Sequence, residues 1–213
     1  MSTLSDVSYG GTGAHLTTPG LPPLVRAAVE SAAALGFEQS CLPEHGRLLA
    51  LLAGGLGAGV IGETGTGAGV GLAWLVSGAA PGARLVSVER DPERAAAARA
   101  LFADRPAVRV LTGDWTELAA YGPFDLLALD GGGQGKGAEP PIDVAAWVRP
   151  GGTVVLDDFT PSAQWPPLHQ GRPDAARLHW LQHPRLLATE LLLAPTAATI
   201  LARHLPTQPA TRA

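Results

Sequence analysis

The segment Gly62-Glu63-Thr64-Gly65-Thr66-Gly67-Ala68-Gly69 follows a short apolar run at 58–63 and precedes an apolar stretch at 70–77. A buried strand, a glycine-rich turn and a helix in that order make the first βα unit of an open α/β sheet. Glycines at 65, 67 and 69 let the backbone take positive φ and come close to a ligand, with the amides of the helix start nearby. No Gly-Lys-Ser/Thr follows, so the turn is not a P-loop. Val70 breaks the dinucleotide spacing G-x-G-x-x-G counted from Gly65. A tight turn in a chain with 27 glycines reads the same way, so the loop alone does not decide the ligand.

Working outward, the chain alternates strand and helix. Strands are predicted at 84–89 (RLVSVE), 108–112, 124–130 (FDLLALD) and 153–157 (TVVLD), and helices at 92–102 and 142–148. Upstream, apolar spacing predicts helices over 22–35 and 43–53. Strands separated by helices imply parallel pairing with both faces covered. The end of the chain departs from this. Runs at 188–193 and 198–205 are joined by Ala194-Pro195-Thr196-Ala197, too short a link for a parallel crossover, so they should pair as an antiparallel hairpin. The expected fold is a Rossmann-like, doubly wound, mostly parallel seven-stranded sheet ending in an antiparallel β-hairpin. Residues 1–42 read as an N-terminal arm and helix, serving as a lid or as a substrate or oligomer contact. Residues 43–213 read as the ligand-binding domain.

Composition narrows the function. With 46% hydrophobic residues over 213 positions, the chain can bury a sizeable core. A net charge of −4 gives no general attraction to phosphate backbones or anionic lipid, so neither nucleic acid nor membrane is the expected partner. Cys41 is the sole cysteine, which excludes an intrachain disulfide and a cysteine-based zinc site. The opening residues show no basic stretch before an apolar core, and the expected location is cytoplasmic.

Acids then recur where an open sheet binds ligands, at the carboxyl ends of its strands. Glu89 ends the second strand, where a carboxylate can accept both ribose hydroxyls of a nucleoside, although it could equally supply charge to the following helix start. Arg90 is beside it. Gly113-Asp114 ends the third strand, where Asp114 could meet an adenine amino group. Asp130 ends the fourth, and Asp157-Asp158 the fifth.

Together, residues 62–71 with Glu63, 86–92 with Glu89, Gly113-Asp114, 124–130 and 149–158 resemble class I S-adenosylmethionine-dependent methyltransferases. More narrowly, they resemble the O-methyltransferases of the catechol and caffeoyl-CoA type and their small bacterial relatives. The resemblance covers roughly residues 43–160. It implies that Glu63, Gly65 and Gly67 surround the methionine part of S-adenosylmethionine, with Thr66 and Gly69 in the same loop. It also implies that Glu89 and Arg90 meet the ribose, and that Gly113, Asp114 and Asp130 complete the cofactor site. In the metal-dependent branch, ligands for Mg²⁺ or Mn²⁺ come from the ends of the fourth and fifth strands, here Asp130, Asp157 and Asp158. Two departures stand out: Asp158 occupies a position where relatives often carry Asn, and Gly131-Gly132-Gly133-Gln134-Gly135 precedes the single lysine, Lys136.

Lys136 and His45 are the candidate catalytic bases. The implied function is O-methylation of a small-molecule acceptor, with a homodimer as the assembly to be tested. A metal-independent methyltransferase acting on nitrogen, carbon or a carboxylate is the alternative, and a non-catalytic S-adenosylmethionine-binding protein is another. An NAD-dependent oxidoreductase is disfavoured by the glycine spacing and by the lack of a Tyr-x-x-x-Lys pair.

Overall fold

A computed structural model describes residues 10–206, so the expectations for residues 1–9 of the arm lie outside it. In chain order the elements are α1 (Gly11–Leu16), α2 (Pro23–Ala34), α3 (Pro43–Gly54), β1 (Val60–Thr64), α4 (Val70–Gly78), β2 (Arg84–Glu89) and α5 (Pro92–Leu101). Then follow β3 (Val108–Thr112), a 3₁₀ helix (Trp115–Tyr121), β4 (Phe124–Leu129), α6 (Val144–Trp147) and β5 (Val148–Phe159). A short hairpin of β6 (Leu168–His169) and β7 (Arg172–Pro173), α7 (Ala175–Gln182), β8 (Leu186–Ala194) and β9 (Ala197–His204) complete the chain.

The main sheet has seven strands in the order β3-β2-β1-β4-β5-β9-β8. The first five are parallel, while β9 runs antiparallel to β5 and pairs with β8 as a hairpin. This is the expected fold. All five residues of β1 are buried, as a central strand covered on both faces requires. One face packs Ile61, Leu85 and Val155 against α2, α4 and α5; the other packs Leu127, Val154 and Ile200 near Trp147 and Trp180. Chain order reverses beside β1, and both βα loops there open toward the same end of the sheet, the usual ligand crevice.

Three segments differ from the sequence reading. The helix expected over 142–148 shrinks to Val144–Trp147, because Val148 pairs with Phe124 and already belongs to β5. For the same reason β5 begins earlier than expected, and it runs on to Phe159 against β9. The glycine-rich arm holds a helical turn, α1. It forms because His15, fully buried, accepts the Trp74 indole N–H on Nε2 at 2.9 Å and contacts the Gly11 carbonyl through Nδ1 at 2.7 Å. Among the described residues no helix is long and apolar enough to cross a membrane.

Candidate active site

A cleft of about 1380 Å³ lies across the carboxyl ends of the parallel strands. Such a volume exceeds that of most single-ligand pockets, and leaves room for a nucleoside and a second small molecule together. Its floor combines the β1–α4 loop, the end of β2, the β4 end and the β5 end.

At one end the glycine loop and the second acid are joined. Glu89 accepts the Gly67 N–H on Oε2 at 2.8 Å, and the Asp91 N–H on Oε1 at 2.9 Å. Arg94 adds an ion pair to Oε1, also at 2.9 Å. The carboxylate is therefore fixed, yet it still borders the cleft with spare lone pairs for hydroxyl donors. Gly65 has φ +83°, and a Cβ there would strike Gly131 backbone atoms at 2.5 Å, so a side chain would push the loops after β1 and β4 apart. Gly67 has φ +52° and packs on Phe37.

Thr66, Arg90, Gly113 and Asp114 also line this end. Asp114 is additionally committed to capping the 3₁₀ helix, accepting from the Thr116 hydroxyl and amide, and these bonds hold its carboxyl below the usual range. Glu63 and Gly69 lie outside the cleft lining. Gly69 caps α4 with φ 94°. Glu63 is buried beneath the loop, where its Oε2 accepts the Ser87 hydroxyl at 2.5 Å and Ser87 in turn meets Thr66. Burial pushes the Glu63 carboxyl up to about 8, with the Ser87 hydrogen bond opposing and the Glu89 charge adding to the rise.

At the other end Asp130, Asp157 and Asp158 converge, with one carboxylate oxygen from each lying within 4.8 Å of the others. Loss of solvent, followed by the repulsion of Asp157 and Asp158, raises the Asp130 carboxyl well above the normal range. Asp158, the solvent-exposed member of the three, is raised as well, by partial loss of solvation first and then by Asp157. Three hard oxygen donors that repel one another fit a divalent cation of the Mg²⁺ or Mn²⁺ kind, which would relieve that repulsion.

Both candidate bases lie beside this cluster. Lys136 donates from Nζ to the main-chain carbonyls of Asp157 and Asp158, and its ammonium lies 4.0 Å from the centre of the Phe159 ring. His45, buried in the first turn of α3, has Nδ1 3.3 Å from Asp157 Oδ1. That contact is close enough for attraction but is not aligned as a hydrogen bond, and the nitrogen has no other partner. Burial lowers the His45 pKa, so the neutral ring is favoured, against an opposing pull from Asp157.

Sequence reasoning missed the side chains that hold this end together. Gln134 is buried in the glycine run after β4, its side-chain amide donating to the Leu129 carbonyl at 2.5 Å, and its main-chain carbonyl accepts the Trp180 indole N–H at 2.8 Å. Arg177 on α7 is 1% exposed. No local signal marks Gln134, whose partners Leu129 and Trp180 lie 5 and 46 residues away, and the nearby Asp174 does not reveal that Arg177 also reaches Thr160, 17 residues away.

Comparison with known proteins bears on this geometry. Residues 63–159 match a family described as a methyltransferase domain. The chain is 38% identical over 117 residues to catechol O-methyltransferase of Mycobacterium tuberculosis, an overlap of 51% of this chain and 52% of that protein. The chain thus matches about half the length of this curated relative. Among solved structures, cofactor-bound Rv0187 from MTB superposes with a TM-score of 0.67 at 27% identity, over 92% of this chain and 97% of the other. An O-methyltransferase from Bacillus cereus in complex with SAH gives 0.67 at 22% identity, over 91% and 96%, a likeness of fold.

Proposed function

Starting from a chain with the class I methyltransferase fold that resembles the catechol-type O-methyltransferases, we propose that it moves a methyl group from S-adenosylmethionine to a hydroxyl of a small molecule. The observation that carries this reading is the single cleft. It joins a fixed ribose-type acid, Glu89, and a glycine loop at one end to three convergent carboxylates at the other. The acceptor class that suits the carboxylate end is a compound with two adjacent oxygens, such as a catechol.

The transfer is an in-line displacement: the carbon–sulfur bond breaks as the carbon–oxygen bond forms, and the hydroxyl proton must leave. S-adenosylmethionine supplies the electrophilic methyl carbon, and a divalent cation held by Asp130, Asp157 and Asp158 would lower the hydroxyl pKa. The chain's own share is alignment and proton removal. Glu89 and the loop at Gly65–Gly67 would fix the nucleoside end. Lys136 would take the proton: a neutral amine can keep two N–H bonds to the Asp157 and Asp158 carbonyls while its lone pair accepts.

Methyl transfer to a catechol, followed by S-adenosylhomocysteine release, tests this. Lys136→Met is expected to lower turnover roughly 10²–10⁴-fold with cofactor affinity nearly unchanged. Lys136→Arg keeps donors for both carbonyls but cannot accept the proton at neutral pH, so it should be as slow as Lys136→Met. Full activity in Lys136→Arg would return Lys136 to a purely supporting role.

A further inference from the structure

Asp157 and Asp158 sit in an irregularity of β5. Pairing with β9 shifts register between Leu156, opposite Ile200, and Phe159, opposite Ala198, so β5 spends one residue more than β9. Such a bulge re-aims side chains and leaves main-chain groups without ladder partners. Asp158 takes a left-handed conformation, φ 63°, that a non-glycine residue adopts only when its surroundings enforce it. Leu156 and Asp157 are buried here, and buried carbonyls need donors.

Side chains supply them in succession. The Leu156 carbonyl accepts the Thr199 hydroxyl at 2.5 Å, and those of Asp157 and Asp158 accept Lys136. The Thr160 carbonyl accepts Arg177 Nη2 at 2.5 Å. Phe159 contacts both side chains, its ring centre 4.0 Å from Lys136 Nζ and 5.2 Å from Arg177 Cζ. Arg177 is held in turn by Asp174 at 3.2 Å and Glu190 at 3.0 Å, both as ion pairs rather than aligned hydrogen bonds. A buried guanidinium with two carboxylate partners would satisfy α7 and β8 alone. Its reach to Thr160 and its placement over Phe159 are extra.

We infer that Arg177 is a positioning residue which, with Lys136 on the shared Phe159 ring, braces the β5 bulge so that Asp157 and Asp158 face the cleft together. Only an arginine can serve the Thr160 carbonyl, two carboxylates and an aromatic face at once; lysine has a single point charge. The link to cation binding rests on the reading above, while the brace itself does not.

The test pairs Arg177→Lys with Glu190→Gln, which removes one ion pair but touches neither Phe159 nor Thr160. Amide hydrogen exchange over residues 157–162 is read on the metal-free protein, then Mn²⁺ affinity by electron paramagnetic resonance and S-adenosylhomocysteine affinity by calorimetry. Arg177→Lys is expected to speed exchange there about tenfold or more. It should also weaken Mn²⁺ roughly 10–100-fold while leaving S-adenosylhomocysteine within about threefold. Glu190→Gln should lower the melting temperature without either change. Unchanged exchange in Arg177→Lys, the same changes in Glu190→Gln, or parallel loss of both ligands would overturn the brace. A wild-type protein that ignores Mn²⁺ would reject the cation reading alone, and the exchange result would then decide the brace. Should Arg177→Lys not fold, Phe159→Leu removes the shared ring and must speed exchange likewise; unchanged exchange there rejects the inference.

Discussion

Replacing Asp157 with alanine is expected to lower methyl transfer by roughly 10²-fold or more and to abolish its response to Mg²⁺ or Mn²⁺, a loss of several kcal/mol of charge stabilisation. The reason is the geometry of the cluster. Asp130, Asp157 and Asp158 place three oxygens within 4.8 Å, and loss of solvation, followed by this crowding, raises the Asp130 and Asp158 carboxyls above the usual range. Removing the buried member takes away one carboxylate and its negative charge, which weakens the hold of the remaining two on a hard ion. S-adenosylhomocysteine should bind Asp157→Ala about as well as the wild type, because the glycine loop and Glu89 lie at the other end of the cleft. EDTA treatment of the wild type should reproduce the loss and added Mg²⁺ should restore it. Full turnover after exhaustive metal removal would reject the cation reading and favour a metal-independent methyltransferase.

A second large effect concerns stability. Glu63 is 2% exposed and faces no cation among the described residues; its Ser87 hydrogen bond does not offset the lost solvation. Its folded pKa of about 8 stands above the ordinary 4.5. Between these values the folded chain holds a proton that the unfolded chain has released, so stability falls as pH rises, and the loss is complete once pH passes the folded pKa. The displacement corresponds to roughly 3–5 kcal/mol at about 1.4 kcal/mol per pH unit. Glu63→Gln, which keeps an acceptor for Ser87 and never ionises, should match the wild type near pH 5 and exceed it by that amount above pH 8. Urea midpoints across this range measure it. Parallel pH profiles for the two proteins would show that Glu63 ionises without cost.

What the sequence reveals depends on how local the cause is. Strands β2 and β3 were legible to the residue, because each is a short valine- and leucine-rich run bounded by turn residues, although only β2 is buried and β3 lies at the sheet edge. The terminal hairpin followed from a four-residue link. The 3₁₀ helix at Trp115–Tyr121 had a readable signal in Asp114-x-x-Glu117, a capping box, which the reading of Asp114 as a ligand contact passed over. Helix α1 and residues 160–185 could not be read this way. Their order comes from His15 on Trp74, Arg177 on Thr160 and Glu190, and Trp180 on Gln134, contacts that exist only once the sheet has formed.

The acids at the strand ends were legible as a set because the chain order of an open sheet places them together. Their separate conditions were not. Nothing in the spelling of residues 62–69 and 84–89 distinguishes Glu63, buried and proton-holding, from Glu89, fixed at the cleft by Gly67 and Arg94. Burial is a property of the packed fold, and it divides two acids that look alike in sequence.

Calorimetric titration with S-adenosylhomocysteine, set against NAD and repeated on Glu89→Ala, tests the central claim most directly. Micromolar binding of S-adenosylhomocysteine is expected, with no heat from NAD. Glu89→Ala should weaken the cofactor by about 1–3 kcal/mol, since it removes a charge-assisted acceptor and frees the Gly67 amide that orders the loop. Tight NAD binding with no response to S-adenosylhomocysteine would contradict the account.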